Sequence, residues 1–169
     1  MKAKVVEAVN SQINAELESA YIYLGMSARM EGFSLPGLAQ WLRVQWEEEI
    51  VHAMKFYDFL VQRGEEVELG PLKKPAPDFT SPLAAFEEVL KHEQYITGRI
   101  WQLNEIAVSE KDYALQSLLK WFIDEQVEEE DNARNAIDAL RLVGDNGSGL
   151  FLFDREMGQR TAPPPDEGA

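Results

Sequence analysis

The sequence contains no cysteine, and this absence removes several kinds of functional site at once. Without thiols the chain cannot form a disulfide-stapled scaffold, a thiolate zinc site, an iron–sulfur cluster or a cysteine nucleophile. Basic residues are also few, because 16 Lys and Arg stand against 30 Asp and Glu, which gives a formal charge of −14. So acidic a chain suits neither nucleic acid nor an anionic membrane surface as a partner.

Long apolar runs are missing as well. No uninterrupted stretch approaches the ~20 apolar residues that span a bilayer, and residues 1–12 lack the apolar stretch of a signal peptide. We therefore expect a cytoplasmic protein with no membrane contact. The 169 residues are 45% hydrophobic, which is enough for one domain with a sizeable core.

Glycine and proline are concentrated at a few points, and the segments between them have helical periodicity. Ser81 before Pro82 is typical of a helix N-cap, and Gly144 is typical of a helix end. A short apolar stretch at 150–153 predicts a brief fifth helix. The long segments predict four helices, at 4–31, 38–63, 82–109 and 112–143.

The lengths of the connections predict the topology. Short links make helices 1 and 2, and helices 3 and 4, antiparallel neighbours. At ~3.3 Å per residue, the link from Gly64 to Ser81 is long enough to run the full height of the bundle. The sequence therefore predicts an all-α four-helix bundle with one long crossover between helices 2 and 3, plus a short C-terminal fifth helix. We expect this domain to cover 1–157 and the polar, proline-rich tail at 158–169 to be disordered.

Each long helix has an inward-facing apolar stripe that a carboxylate interrupts near the helix centre. The stripe of helix 1 begins at Val6, and that of helix 2 ends at Phe59. Helix 2 adds a histidine one turn after its glutamate, and helix 4 adds a glutamine. Because all of these positions are central, they meet at one level of the bundle whichever way each helix runs. The interrupting residues are Glu16, Glu49, His52, Glu93, Gln126 and Glu129.

Four ionised carboxylates inside an apolar bundle require compensation. Each costs several kcal/mol to remove from water, so either most are protonated or cations lie among them. Two divalent metal ions would balance the four charges, and Glu49 and His52, at positions i and i+3, can hold the same ion. Oxygen donors with one imidazole and no sulfur suit Fe(II) or Mn(II), with Zn(II) also possible.

Two single glutamates and a Glu-x-x-His on separate helices of a crossover bundle resemble the ferritin-like di-iron carboxylate proteins. Within that superfamily, four segments resemble prokaryotic non-haem ferritins: NAEL at 14–17, EEEIVH at 47–52, KHEQ at 91–94 and DEQVEEE at 124–130. Bacterioferritins carry a second Glu-x-x-His where this chain has Gln126 and Glu129, and a haem-ligating methionine where it has Ile50. Rubrerythrins need a four-cysteine module. The departures therefore argue against haem and against a rubrerythrin-type peroxide reductase.

The resemblance implies an iron-storage protein with ferroxidase activity. Such a protein oxidises Fe(II) to Fe(III) with O2 or peroxide and sequesters ferric mineral inside a shell of typically twenty-four subunits. Glu16, Glu49 and His52 would hold the first iron, and Glu49 would bridge to a second iron held by Glu93 and Glu129. A smaller set of matching positions completes the implied site: Gln126 close to the second iron, Tyr23 near the pair, and Glu48, Glu125 and Glu128 at a third iron position.

Other interpretations of the same residues are open at this stage. Glu48, Glu125 and Glu128 lie in charge runs that also suit a solvated acidic face, Tyr23 suits a core aromatic, and His92 suits a structural role. The chain as a whole could be a non-storage di-iron oxidoreductase or peroxidase, or a bundle that only buffers metal. The apolar stretch at 150–153 favours a shell, because a monomer would have to hide it.

Overall fold

The computed structural model describes residues 1–76 and 78–162. These contain five helices and no strand, which confirms the predicted fold class. The ends of the four long helices lie within two residues of their predicted positions. The helices are α1 (Ala3–Gly32), α2 (Pro36–Gln62), α3 (Pro82–Glu110), α4 (Tyr113–Val143) and α5 (Gly147–Met157).

Side-chain and backbone caps fix the helix ends. Ser81 Oγ accepts a hydrogen bond from the Ala84 amide at 3.1 Å, with Pro82 in the first turn, as the sequence predicts. Gly144 has a φ of +53° and donates its N–H to the Leu140 carbonyl at 3.0 Å. Pro36 begins α2 instead of lying in the preceding turn, because proline is compatible with the first turn of a helix.

Contacts along α1 show that α2 and α3 run in the same direction. The Ser27 hydroxyl donates to the Ala39 carbonyl near the start of α2, and the N-terminus of the chain pairs with Glu65 beyond the end of α2. Helix α1 is also antiparallel to α3, since Arg99 Nε donates to Gln12 Oε1 at 3.0 Å and the Ser19 hydroxyl lies 2.8 Å from His92 Nε2. The two antiparallel pairings make α2 and α3 parallel, as the predicted crossover requires.

Two asparagines of α1 bind the crossover along its course. Asn10 Oδ1 accepts from the Glu68 amide at 2.8 Å, and its Nδ2 donates to the Glu66 carbonyl at 3.2 Å. One turn on, Asn14 Oδ1 accepts from the Gly70 amide at 3.0 Å. These amides satisfy backbone groups that a segment without secondary structure would otherwise leave unpaired.

The core consists of two apolar clusters with a polar layer between them. One cluster contains Met30, Leu38 and Phe86, and the other contains Phe56 and Phe122, all buried. Burial of these side chains stabilises each half of the bundle. The polar layer lies at mid-height, where the central glutamates were predicted to meet.

Helix α5 packs against the first turn of α2. The buried Asp154 side chain accepts hydrogen bonds from the amides of Gly37 at 3.1 Å and Leu38 at 2.9 Å. Gly37 allows this contact, because a Cβ built there would lie 1.7 Å from the Asp154 carbonyl oxygen. The predicted fifth helix is thus present, and it is longer than the apolar stretch at 150–153.

The described chain continues to Ala162, and its last residues remain close to the bundle. Arg160 contacts Gln45 and Glu48 of α2, three residues beyond the predicted domain end at Met157. The tail predicted to be disordered begins at residue 158, and its residues 163–169 lie outside the described residues. Among the residues described, no helix is long and apolar enough to cross a membrane.

Candidate metal centre

The polar layer is shielded from solvent although it contains four carboxyl groups. All of its members are at most 4% exposed: Glu16, Glu49, His52, Glu93, Gln126 and Glu129. They come from the middle of α1, α2, α3 and α4. Helical periodicity in the sequence predicts that these six residues lie at one level of the bundle, and the structure places them there.

Three of these side chains form a compact group. Glu16, Glu49 and His52 each offer one ligand atom, and the three atoms lie within 4.8 Å of one another. Glu49 and His52 share a face of α2, with His52 Nδ1 3.3 Å from Glu49 Oε2, while Glu16 approaches from α1. This arrangement can hold one cation between two carboxylates and an imidazole.

A second group shares the same histidine. His52, Glu125 and Glu129 also place one ligand atom each within 4.8 Å of the others, with His52 Nε2 4.0 Å from Glu125 Oε1. The resemblance assigned Glu125 to an outer, third metal position. In the folded chain Glu125 lies half-buried on the same histidine as the inner group.

Glu93 is held by two donors. The Tyr23 hydroxyl donates to its Oε1 atom, and Gln126 Nε2 donates to its Oε2 atom at 3.1 Å. Among the described residues Glu93 falls in neither three-residue group. Its placement therefore depends on Tyr23 and Gln126, two side chains that the sequence places near the site.

Two glutamines that sequence analysis did not assign to the site also contact its carboxylates. Gln12 Nε2 donates to Glu16 Oε1 at 2.8 Å, and Gln45 Nε2 donates to Glu129 Oε2 at 2.9 Å. Each glutamine stands four residues before a central glutamate, Gln12 before Glu16 and Gln45 before Glu49. That spacing was a usable signal, because residues four apart share a helix face.

Burial makes the charged forms of these carboxyl groups unfavourable. It raises the pKa of Glu16, and it raises the pKa values of Glu49 and Glu93 well above the ordinary range. The charges of neighbouring glutamates raise the pKa values of Glu49 and Glu93 further. Burial also raises the pKa of the Tyr23 hydroxyl well above its usual value, with Glu93 adding to the effect. Protons or metal cations must therefore neutralise the layer.

One buried atom indicates that a cation fits. The Oε2 atom of Glu16 has no hydrogen-bond partner among the described residues. An unpaired buried carboxylate oxygen is costly, and a metal ion between Glu16, Glu49 and His52 would satisfy it. The donor set of oxygens with one imidazole suits Fe(II).

A family model described as a ferritin-like domain matches residues 6–143, a range that includes every residue of the polar layer. The chain belongs to the ferritin family. A bacterial non-heme ferritin of Staphylococcus aureus is 38% identical over 161 residues, which cover 95% of this ferritin and 97% of the relative. That of Staphylococcus haemolyticus is 40% identical over 157 residues, covering 93% and 95%.

Solved structures resemble this ferritin along its whole fold. An Archaeoglobus fulgidus ferritin engineered into a closed form superposes with a TM-score of 0.95 at 45% identity, covering 96% of this chain and 99% of that one. The open-pore ferritin of the same organism gives 0.93 at 45% identity, covering 95% and 98%. A humanized archaeal ferritin gives 0.95 at 46% identity, covering 97% and 99%.

The outer carboxylates of this ferritin differ in their surroundings. Glu48 is half-buried, and burial raises its pKa to about 7 although the Arg160 guanidinium opposes the shift. Burial also raises the pKa of Glu125. Glu128 is exposed, and within the described residues it belongs to neither three-residue group.

His92 lies next to Tyr23 and Ser19. It is half-buried, its ring packs edge-on against Tyr23 at 5.8 Å, and burial lowers its pKa to about 4. A neutral imidazole hydrogen-bonded to Ser19 matches the structural role considered for it from sequence.

Proposed function

We propose that this ferritin oxidises Fe(II) at the polar layer with O2 or hydrogen peroxide and stores the ferric product inside a multi-subunit shell. The observation that carries the proposal is the buried group of Glu16, Glu49 and His52, with its unpaired carboxylate oxygen, in a chain of the ferritin family. Iron is the substrate and the cargo. The non-storage oxidoreductase considered from sequence gains no support from any relative or structure described above.

The side chains divide into two binding positions. Glu16, Glu49 and His52 hold one Fe(II), and Glu49 bridges to a second Fe(II) held by Glu93 and Glu129. Gln126 and Tyr23 orient Glu93 through their hydrogen bonds to its two oxygens. The apolar clusters on both sides keep bulk water out of the layer, which strengthens the electrostatic attraction of the carboxylates for cations.

The redox step is balanced by the pair of ions. Each Fe(II) gives up one electron, and the two electrons, together with two protons from solvent, reduce O2 to hydrogen peroxide or hydrogen peroxide to two water molecules. Four carboxylates balance two divalent ions, so a ferric pair carries two charges too many for the layer. This excess favours release of the product toward storage. Glu48, Glu125 and Glu128 are the proposed third iron position, where metal leaving or approaching the layer would bind.

One experiment separates storage from the alternatives. Fe(II) is added in air to the purified protein, and native mass and iron per chain are measured. We expect a shell-sized particle, of twenty-four subunits as the ferritin resemblance implies, that takes up far more than three irons per chain. Two irons per chain in a small oligomer would support a non-storage enzyme instead, and uptake without oxidation would support a metal buffer.

A pair of variants tests the assignment of the layer. Glu49→Ala removes the proposed bridging carboxylate and should abolish rapid Fe(II) oxidation in stopped-flow absorbance. Glu47→Ala removes a carboxylate that is exposed two residues away, and should leave the rate unchanged. Normal kinetics in Glu49→Ala would mean that oxidation takes place elsewhere in the protein.

A further inference from the structure

Arg160 places a positive charge beside the outer carboxylates. Its Nη2 atom donates to Glu48 Oε2 at 2.7 Å, and its Nη1 atom donates to Gln45 Oε1. The guanidinium carbon lies 4.5 Å from the centre of the Trp41 ring, a cation–π arrangement. The side chain of Arg160 is only 21% exposed and that of Glu48 only 11%.

Helix α5 fixes where this arginine lies. Asp154 accepts from the first amides of α2, and the Gly158 amide donates to the Asp154 carbonyl at 3.0 Å, so the chain leaves α5 directly above α2. Arg160 follows two residues later and reaches along α2 past Trp41. The contact with Glu48 is therefore part of how α5 docks on the bundle.

The guanidinium occupies one of the two oxygens through which Glu48 could bind a metal ion. A metal bound by Glu48 takes up a lone pair of the carboxylate, whereas Arg160 already uses the Oε2 atom in a charge-assisted hydrogen bond. Two cations on one carboxylate also repel each other. Binding of a metal ion by Glu48 must therefore displace Arg160 or proceed against its charge.

Arg160 is also connected to the inner layer through Gln45. The amide oxygen of Gln45 faces Arg160, which turns its Nε2 atom toward Glu129 at 2.9 Å. Gln45 is fully buried, so its orientation has few alternatives. Movement of Arg160 would release Gln45 and, through it, one donor on a ligand of the second iron.

We infer that Arg160 is a tethered cation that competes with metal for Glu48, and that it keeps binding at the third position weak. This inference rests on the proposed function and adds a regulating residue to its outer position. Weak binding there lets iron pass between the inner pair and the mineral without being retained. The ligand of this third position is a divalent cation, and it displaces the Arg160 side chain of the C-terminal segment from Glu48.

The test is an anaerobic titration of the whole, iron-free protein with Co(II) alone, followed by calorimetry and visible absorption. In the wild type we expect two tighter ions and one weaker ion per chain. Arg160→Gln should tighten the third ion by about three- to tenfold, as removal of one partly exposed charge predicts, and should still bind two tighter ions per chain. Arg160→Lys, which keeps the charge, should retain weak third-ion binding.

Arg155→Gln is the matched control. This variant also removes one positive charge, but from an exposed arginine of α5 whose guanidinium lies 6.0 Å from the Phe151 ring. The variant protein should bind Co(II) as the wild type does. A third ion that is unchanged or weaker in Arg160→Gln, with two tight ions still present, overturns the inference and leaves the proposed function standing. Loss of the two tight ions from the wild type itself would overturn the proposed function.

Discussion

At the scale of single residues, protons neutralise the buried carboxyl groups of the polar layer when no metal ion is bound. Glu16, Glu49 and Glu93 all have pKa values raised by burial, so the metal-free protein holds protons there that an unfolded chain would release. Cations and protons therefore compete for the same oxygens. The stability of the metal-free protein therefore depends on pH, and so does its affinity for metal ions.

Stability of the metal-free protein should fall as pH rises. Carboxyl groups with raised pKa values contribute stability that is complete below their ordinary value of 4.5, and this stability is lost as pH rises through the folded value, which for Glu48 is about 7. We expect the Tm of metal-free protein to decrease between pH 4.5 and 8. Glu48→Gln should make the decrease shallower.

Glu47→Gln controls for the general charge of the protein, because Glu47 is exposed. It should leave the slope of Tm against pH close to that of the wild type. Equal slopes in Glu47→Gln and Glu48→Gln would show that overall repulsion, and not the buried carboxyl group, determines the pH dependence.

The two proposed inner metal positions should differ in affinity. The position of Glu16, Glu49 and His52 has a nitrogen donor, whereas Glu93 and Glu129 supply only oxygen, and metal binding by Glu93 competes with its bonds to Tyr23 and Gln126. We expect dissociation constants about tenfold or more apart in anaerobic Co(II) titration. His52→Gln should bring them together, and equal constants in the wild type would contradict the asymmetry.

The polar layer could be predicted from the sequence because its residues interrupt the apolar pattern of each helix. A glutamate such as Glu93 on an apolar stripe is conspicuous. Four such glutamates at the same level of the bundle indicate a shared site much more strongly than one does. Gln12 and Gln45 stand out less than a carboxylate because they are uncharged, and only their position four residues before a central glutamate points to the site. Arg160 was beyond prediction because its contact depends on how α5 turns back onto α2, which no local periodicity encodes.

At the scale of elements, the docking of α5 depends on one glycine. Gly37→Ala places a Cβ against the Asp154 backbone and should destabilise the docked helix by ~1–3 kcal/mol, the usual cost of overpacking. Gly98→Ala is the control, because a Cβ there meets no atom within 4 Å in the middle of α3. That variant should stabilise the protein by ~0.5–1 kcal/mol.

Urea unfolding measures both changes, and limited proteolysis near residue 146 reports release of α5. If Gly37→Ala were as stable as the wild type and resistant to protease, the close approach of α5 to α2 would not contribute to stability.

Helix positions were predicted well, and so were most of the inward-facing residues, but the stripes missed the buried residue near the start of α1 and the one near the end of α2. Val5 is buried where the stripe predicted Val6, and Leu60 is buried where it predicted Phe59. A repeat of 3–4–3–4 advances 3.5 residues per turn whereas a helix has 3.6, so the predicted face drifts by ~20° per heptad away from the helix centre. The same drift leaves the central glutamates correctly placed, because it is smallest where the stripes were aligned.

At the scale of the whole molecule, the exposed apolar surface of α5 is consistent with assembly. Phe151 and Leu152 are 60% and 64% exposed in the isolated chain, and Leu142 nearby is 91% exposed. Phe151→Asp with Leu152→Asp should preserve helical content in circular dichroism and lower the native mass from that of a shell. Retention of the full native mass would show that α5 does not contribute to subunit contacts.

The distribution of the polar layer over four helices has a consequence for synthesis. Glu16 lies in the first helix and Glu129 in the fourth, so no piece of the chain that ends before α4 contains the complete set of proposed ligands. A chain emerging from the ribosome has made most of its carboxylates before α4 exists, yet it cannot capture a pair of irons in the productive arrangement. Maturation of the proposed iron centre therefore waits for the last long helix, and a truncated translation product would carry carboxylates without the complete set of proposed ligands.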